Sequence, residues 1–202
     1  MKYLIVTTTD LTESFVFAYL SPQDCQERKP FGMINGGDER IGSFYRLNVE
    51  TVCCCIQATL DNNELNKAAE TLLQVCDQQT EIIILTSRHK RNLVDSVEYD
   101  LENDSITKIL KTAFWKKNSL GNFLTQPNVL SGFPAALLSA AEKKKKSGLL
   151  ICSFFDSEYV DSRSLQGLKE AFKTLGYFKF QNEDVSLTRL KMRSQSNSTL
   201  YT

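Results

Sequence analysis

Apolar positions along the chain follow two different spacings, and together they predict alternating strands and helices. Strand-like apolar runs occur at Lys2–Thr8, Ser14–Leu20, Glu50–Leu60, Glu81–Thr86 and Gly148–Phe155. Helical spacing of apolar residues occurs at Asp61–Cys76, Ser105–Trp115, Gly132–Lys146 and Ser162–Leu175. The unbroken apolar run at Glu81–Thr86 is typical of a strand buried on both faces, so we expect it at the centre of the sheet.

The N-terminal part of this pattern predicts an antiparallel hairpin. Lys2–Thr8 and Ser14–Leu20 both have strand-like composition, and a short polar turn separates them. Ser21–Gly42 then contains many turn-forming residues, which indicates a long irregular connection.

Three local signals mark where the predicted helices begin and end. Asp61 with Glu64 fits a capping box, Pro134 fits the first turn of a helix, and Gly176 fits a helix C-terminus. The alternation favours an α/β fold, a single-domain layered structure whose mainly parallel central sheet is flanked by helices. We expect this domain over residues 1–192 and a flexible C-terminal tail over 193–202, because the tail is polar with little to bury.

Charge and length narrow the classes of function. The 24 basic and 24 acidic residues cancel, so no overall field favours nucleic acid or an anionic membrane. The apolar run at Tyr3–Val6 is shorter than a secretory signal, and no run approaches the ~20 residues that span a bilayer. These features predict a cytoplasmic protein, with no nucleic-acid partner and no membrane insertion.

Six cysteines raise the question of a disulfide framework or a metal site. Cys53, Cys54 and Cys55 are adjacent in a predicted strand, so the middle side chain points away from its neighbours. No C-x-x-C spacing occurs. Buried structural thiols are the favoured interpretation, a metal or redox site is the alternative, and no metal or cofactor is predicted.

The candidate catalytic residues are Ser87, Arg88 and His89, at the end of the predicted central strand. Ligands in open α/β sheets bind beyond the carboxyl ends of strands, so these residues could hold an anion or activate a hydroxyl. Adjacent residues of an extended chain point apart, however, and no acid is identifiable as an orienting partner. A hydrogen-bonded strand end is the favoured interpretation, and a small-molecule enzyme using Ser87, Arg88 and His89 is the alternative function.

Two further sequence patterns bear on ligand binding. No nucleotide-binding glycine pattern follows a strand. Four consecutive lysines, Lys143 to Lys146, close a predicted helix, where cations oppose the negative end of the helix dipole. We therefore expect this run to be a solvated helix end.

The end of the chain departs from what a fold requires, because Leu200 and Tyr201 follow a polar tail. A hydrophobic residue, a tyrosine and a terminal residue form a pattern similar to the motif with which proteasome activators and assembly factors enter pockets of the proteasome outer ring. Four internal segments accompany it in order: Ile84–His89, Phe123–Val129, Phe133–Ser139 and Ser164–Leu168. Together these segments resemble the proteasome assembly chaperone 1 family.

The resemblance implies an α/β fold and a non-enzymatic function in assembly of the proteasome core particle. It also implies a heterodimer with proteasome assembly chaperone 2, action on the ring of alpha-type subunits, and residence in the cytoplasm and also in the nucleus. Leu200, Tyr201 and Thr202 are the partner-binding residues that it implies. The alternative for this tail is that Leu200 and Tyr201 fold back onto the domain or pack in a different complex.

The resemblance is uneven along the chain. It covers about residues 80–170 and the last three residues, whereas Lys2–Leu60 fits in its general strand pattern alone. Members of the family can carry a charged N-terminal extension, and here a strand is predicted almost from Met1. We therefore expect either a short, divergent form or an incomplete chain.

Overall fold

The computed structural model describes residues 1–20, 27–33, 40–94, 105–116, 122–156 and 162–176. The strands in this part of the chain are β1 (Tyr3–Thr7), β2 (Glu27–Met33), β3 (Arg40–Arg46), β4 (Thr51–Ile56), β5 (Glu81–His89), β6 (Ser105–Lys111) and β7 (Gly148–Phe155). The α-helices are α1 (Asp10–Phe15), α2 (Asn62–Gln74), α3 (Phe133–Lys143) and α4 (Ser162–Leu175). A π-helical segment at Val16–Leu20 continues α1, and a 3-10 turn at Lys90–Asn92 follows β5.

The described strands form one mixed sheet in the order β2-β3-β4-β1-β5-β7-β6. Its four central strands, β4, β1, β5 and β7, are parallel to each other. Antiparallel strands extend both sides of this centre, with β3 and β2 on one side and β6 on the other. The predicted α/β class and single layered fold are confirmed, and the buried strand at Glu81–Thr86 lies beside the central strand β1.

Two hydrophobic clusters cover the two faces of the sheet. Ile83 and Leu85 of β5 point into the cluster that α1 and α4 cover, which also contains Phe15 and Phe172. Ile82 and Ile84 point into the cluster that α2 and α3 cover. Alternation along a strand thus places successive apolar residues on opposite faces, and helices keep both faces from water.

The predicted signals at helix ends are present in the structure. Asp61 is the N-cap of α2, its carboxylate accepts from the backbone N–H groups of Asn63 and Glu64, and the Glu64 side chain accepts from the Asp61 N–H. Gly176 follows α4 with a φ of 67°, a left-handed conformation that glycine adopts without strain. These contacts satisfy backbone groups that a helix end leaves without partners.

The predicted antiparallel N-terminal hairpin is wrong. Ser14–Leu20 was expected as a strand, but it lies in α1 and its π-helical continuation. Thr9 caps this helix by accepting from the Thr12 N–H, while the Thr12 side chain accepts from the Thr9 N–H. Strand β1 pairs instead with β4 and β5, both parallel to it. The reciprocal cap and the burial of Phe15 outweigh the strand preference of the aromatic and β-branched residues.

The predicted helix at Ser105–Trp115 is also wrong. Ser105–Lys111 is the edge strand β6, antiparallel to β7. Ile109 lies in the α4-side cluster, whereas Ile106 and Leu110 pack against the α2 and α3 side. The apolar residues that were interpreted as one helical stripe therefore lie on two faces of a strand.

The expected tail at 193–202 lies outside the described residues, as does the boundary of the domain at residue 192. Within the described helices, none combines the length and apolar character that crossing a membrane requires.

Candidate functional site

The carboxyl ends of the central strands carry the residues that were candidates for catalysis. Ser87 lies on the face of β5 that α1 covers, where its hydroxyl is 2.8 Å from the Thr9 hydroxyl. Thr9 is the N-cap of α1. The contact therefore ties the start of α1 to the end of β5, which is a structural use of the hydroxyl.

Arg88 points to the opposite face of the sheet. Its Nη2 donates to the carbonyl oxygen of Ser131 at 3.0 Å and to the Ser131 hydroxyl at 3.2 Å. Ser131 lies just before α3. The guanidinium thus connects β5 to the segment that leads into α3, on the side away from Ser87.

His89 caps the 3-10 turn that follows β5. Its Nδ1 accepts from the backbone N–H of Arg91 at 3.2 Å, and Asp156 Oδ1 lies 3.7 Å from the same nitrogen. The other oxygen of Asp156 lies 3.5 Å from Nζ of Lys90, whose side chain is largely buried. Because the Nδ1 lone pair is engaged by Arg91, this nitrogen is not available as a general base in this arrangement.

The structure does not bring Ser87, Arg88 and His89 together. Ser87 and Arg88 have separate partners on opposite faces, and His89 contacts the turn and Asp156. An open groove of about 610 Å³ lies elsewhere, at the other end of β6 against α3. Its lining residues are Lys111, Thr112, Ala113, Leu138, Ser139 and Glu142. The favoured interpretation of a hydrogen-bonded strand end agrees with these contacts.

The cysteine triplet is divided between the two faces of the sheet. Cys53 and Cys55 lie on the α4 side with their sulfur atoms 3.7 Å apart, whereas Cys54 lies in the cluster on the other face. Burial raises the pKa of Cys152 to about 12 and that of Cys76 to about 11. No group of His, Cys, Asp and Glu in the described ranges could hold a metal ion. Buried, protonated thiols have little nucleophilic or metal-binding character.

The lysine run at Lys143–Lys146 is not entirely solvated as expected. Lys143, Lys144 and Lys145 are exposed, but Lys146 is buried. Its Nζ donates to the carbonyl oxygens of Cys76 at 2.8 Å and Asp77 at 3.0 Å. The last lysine therefore satisfies carbonyl groups beyond the end of α2, a role that the sequence did not indicate.

The segments that carried the family resemblance have defined structural roles. Phe123 forms a bridge with Ile109 of β6, and the following residues lead across the sheet edge to α3. Gly167 of α4 packs on β6, where a Cβ atom would lie 2.5 Å from the Thr107 hydroxyl and 2.9 Å from the Ser105 hydroxyl. The resemblance thus includes residues that hold α3 and α4 against one edge of the sheet.

The same part of the molecule contains a pair of hydrogen bonds that sequence reasoning missed. Val94 and Val129 are exposed, and Asn128 binds both the N–H and the carbonyl of Val94. Neither the apolar spacing nor a known motif marks these residues. The contact between Asn128 and Val94 is seen only in the folded chain, because the two residues are far apart in sequence.

Leu200, Tyr201 and Thr202, the predicted partner-binding residues, lie outside the described part of the chain. The predicted docking role of these residues therefore remains a prediction.

Solved structures similar to this one define the fold class. A protein of unknown function from Thermoplasma acidophilum aligns with a TM-score of 0.70 at 11% identity, over 96% of this chain and 83% of that one. PbaA from Pyrococcus furiosus, an archaeal homolog of proteasome-assembly chaperone, aligns with a TM-score of 0.61 at 12% identity, over 96% and 84%. PbaB from the same organism, an archaeal proteasome activator, gives 0.59 at 12% identity, over 96% and 90%. The chain therefore has the α/β fold found in proteasome-assembly chaperone homologues.

The family follows from the sequence comparison. No curated protein matches the chain at a significant level of similarity. A family model described as proteasome assembly chaperone 4 matches residues 18–202, which is most of the chain. The chain belongs to this family of proteasome assembly chaperones.

Proposed function

We propose that the protein acts as proteasome assembly chaperone 1, in a heterodimer with proteasome assembly chaperone 2, and promotes assembly of the ring of alpha-type subunits. The observation that carries this proposal is the family match, which extends over residues 18–202 and so includes the terminal Leu200, Tyr201 and Thr202. The segments Ile84–His89, Phe123–Val129, Phe133–Ser139 and Ser164–Leu168 support assignment to chaperone 1 in particular.

The protein works by binding other proteins rather than by catalysis. Support comes from the separate partners of Ser87, Arg88 and His89, which leave these three side chains without a shared reacting centre. It acts where proteasome core particles assemble, in the cytoplasm and also in the nucleus. Its partners are alpha-type subunits and the second chaperone, with no nucleic acid and no inserted membrane segment.

The tail anchors the chaperone to the ring. Leu200 and the Tyr201 ring fill an apolar cleft between neighbouring subunits, and the Thr202 carboxylate pairs with a cation. Residues 194–202 can extend at most ~30 Å, enough to reach a pocket from a body resting on the ring. Three residues bind weakly alone, and a second tail from the partner chaperone increases the effective concentration of both.

Co-purification tests this function. Tagged full-length protein, a Tyr201→Ala variant and a Thr199→Ala control are expressed alike, and the bound chains are identified by mass. We expect the wild type and the control to recover alpha-type subunits with chaperone 2. The Tyr201→Ala variant should retain chaperone 2 and lose most of the alpha-type subunits.

Two outcomes would contradict parts of the proposal. Equal recovery of alpha-type subunits by all three proteins would remove the docking role of the tail and keep the chaperone. Recovery of no proteasome subunit by the wild type would remove the chaperone role itself.

A further inference from the structure

Charged residues are distributed unevenly along the chain, although they cancel over its whole length. Residues 105–148 contain eight lysines, no arginine and a single acidic residue, Glu142. Residues 1–104, in contrast, contain nine basic and 17 acidic residues. The net charge of zero therefore conceals a strongly basic stretch, and the fold decides where its charges lie.

The fold brings several of these lysines to one groove. The end of the edge strand β6 and the end of α3 form the two walls of the open groove of about 610 Å³. Five lysines, all exposed or half-buried, lie at or just after these two ends: Lys111, Lys116, Lys143, Lys144 and Lys145. We name the groove together with these lysines the basic groove.

The charges of the five lysines are not neutralised by described residues. None of the five forms an ion pair within the described ranges. Nζ of Lys111 lies 5.4 Å from the centroid of the Phe123 ring. The acidic residue of the stretch, Glu142, accepts from the Ala113 N–H at 2.8 Å. A group of like charges without counter-charges favours an anionic partner.

Hydrogen bonds fix the two walls of the groove relative to each other. The hydroxyl of Thr112, just after β6, donates to the Lys146 carbonyl at 3.0 Å and accepts from the Gly148 N–H at 2.9 Å. The Thr112 N–H donates to the Gly148 carbonyl at 2.9 Å. Together with the bond between Ala113 and Glu142, these contacts join the end of β6 to α3 and to the start of β7. A groove that is already ordered loses little conformational entropy when a ligand enters.

The lining of the groove adds an apolar component to the charge. Leu138, which is half-buried, and Ala113 line it together with the exposed Ser139. Lys143 lies four positions after Ser139, on the same side of α3. A ligand in the groove therefore meets apolar side chains and cations together.

This chemistry favours a protein segment over other anionic partners. Recognition of phosphate groups relies largely on arginine, whose guanidinium binds two oxygens at once, and residues 105–148 contain no arginine. A membrane surface is broad and does not enter a groove between a strand and a helix. An extended peptide presents alternate side chains to opposite sides, so apolar residues can enter the groove while acidic residues reach the lysines.

We propose that the basic groove binds an acidic, extended segment of a partner protein. Apolar side chains of this segment pack against Leu138 and Ala113, and its carboxylates pair with Lys111 and Lys143. Each exposed ion pair contributes little, so several act together and the affinity falls as the salt concentration rises. This binding is separate from docking of the C-terminal tail, and it does not depend on which chaperone of the family the chain is.

Titration with a defined peptide tests the charge contribution. The probe is a short fluorescent peptide of alternating glutamate and leucine, added to the full-length protein. Lys111→Gln with Lys143→Gln removes one lysine from each wall of the groove. Lys67→Gln with Lys173→Gln removes two exposed lysines from α2 and α4, and so changes the net charge equally. We expect about fivefold weaker binding for the first variant and no change for the control.

A second matched pair tests the position of the site. Ser139 is exposed and lines the groove, so Ser139→Glu places a carboxylate where the peptide should bind. Thr174→Glu adds the same charge at an exposed position of α4. We expect about tenfold weaker binding for Ser139→Glu and no change for Thr174→Glu. Unfolding midpoints close to that of the wild type would exclude a loss of fold as the cause.

A second peptide tests the apolar contribution. It carries serine in place of leucine and has the same charge as the first peptide. We expect the wild type to bind it several-fold more weakly, because serine buries no apolar surface against Leu138 and Ala113.

Three results would overturn the proposal. The first is that the wild type does not bind the glutamate-leucine peptide at low salt. The second is equal weakening in a variant and its control, or equal binding of the two peptides, either of which would indicate general charge attraction. The third is stronger binding of a short RNA or of phosphatidylserine vesicles than of the peptide, with that binding lost in Lys111→Gln with Lys143→Gln. No proteasome subunit enters these titrations, so the proposed function is tested separately.

Discussion

The ammonium group of Lys146 lies 2.8 Å from the carbonyl oxygen of Cys76. Cys76 follows α2, whereas Lys146 follows α3 and leads into β7. The contact therefore joins the ends of two helices that cover the same face of the sheet, through a cation shielded from water.

Replacing this cation should destabilise the fold. Lys146→Met keeps the length of the side chain but leaves the carbonyls of Cys76 and Asp77 without their donor, and we expect a loss of about 1–3 kcal/mol in the free energy of unfolding. Urea denaturation measures it. Lys144→Met, at an exposed position, is the control. Equal stability of the two variants would show that Nζ of Lys146 contributes nothing net.

A side chain at Gly167 should destabilise the fold while Thr107 is present. A Cβ atom at Gly167 would lie 2.5 Å from the Thr107 hydroxyl, and a β-branched side chain has little rotational freedom to move away. We expect the overlap in Gly167→Ala to lower the free energy of unfolding by about 1–3 kcal/mol. The higher helix propensity of alanine offsets part of this loss.

A double-mutant cycle with Thr107→Ala tests the cause. Thr107→Ala should lower the free energy of unfolding less in the Gly167→Ala protein than in the wild type, because removal of the hydroxyl relieves the overlap. Lys173→Ala, exposed on the same helix, should give no coupling with Thr107→Ala. Additive effects of Gly167→Ala and Thr107→Ala would exclude the overlap as the cause.

Capping of α2 should contribute measurably to stability. Asp61→Ala removes the acceptor for the N–H groups of Asn63 and Glu64, and we expect a loss of about 0.5–2 kcal/mol. Asn63→Ala changes an exposed side chain in the same turn and serves as the control. Thermal unfolding of both variants measures this loss. Equal unfolding midpoints for the two variants would contradict the prediction.

The buried thiols should react with alkylating reagents after unfolding and not before. Cys53, Cys54, Cys55, Cys76 and Cys152 are all buried. In a Cys25→Ser variant, which removes the sixth thiol, we expect no labelling in the native state at pH 8 and five labels in denaturant. Labelling of the native variant would show that the sheet opens locally around these residues.

Stability should also fall at alkaline pH because of these thiols. Burial raises the pKa of Cys152 from 9.0 to about 12, so the folded state holds a proton that the unfolded state releases. This contribution is complete below pH 9 and is lost as the pH rises toward 12. Denaturation midpoints measured between pH 8 and pH 11 should decrease less steeply for Cys152→Ala than for the wild type.

How far the sequence determines this fold is clearest from elements that share a composition. Ile82 to Leu85 forms an unbroken apolar run, which fits a strand covered on both faces, and the structure confirms it. Val16 to Leu20 is equally apolar and yet is helical, because the Thr9 cap starts a helix just before it. Ile106, Ile109 and Leu110 fit either spacing. Pairing with β7, a long-range contact, decides in favour of a strand.

The candidate site was predictable to a smaller extent. The terminal hydrophobic-tyrosine pattern is local in sequence, so it could be recognised without a structure. The hydrogen bonds between Asn128 and Val94 join residues 34 positions apart, and no local rule relates them. Lys146 likewise resembled its solvated neighbours until the fold placed it beside Cys76 and Asp77.

The position of β1 in the middle of the sheet determines when this strand can be paired during synthesis of the chain. Its hydrogen-bonding neighbours are β4, which begins at Thr51, and β5, which begins at Glu81. Strand β1 precedes both of these neighbours along the chain, so its apolar side chains are covered only after β5 has been synthesised. Pairing between such distant segments is slow compared with local folding. A nascent chain stopped before residue 81 is expected to expose an aggregation-prone strand, although the finished protein buries it completely.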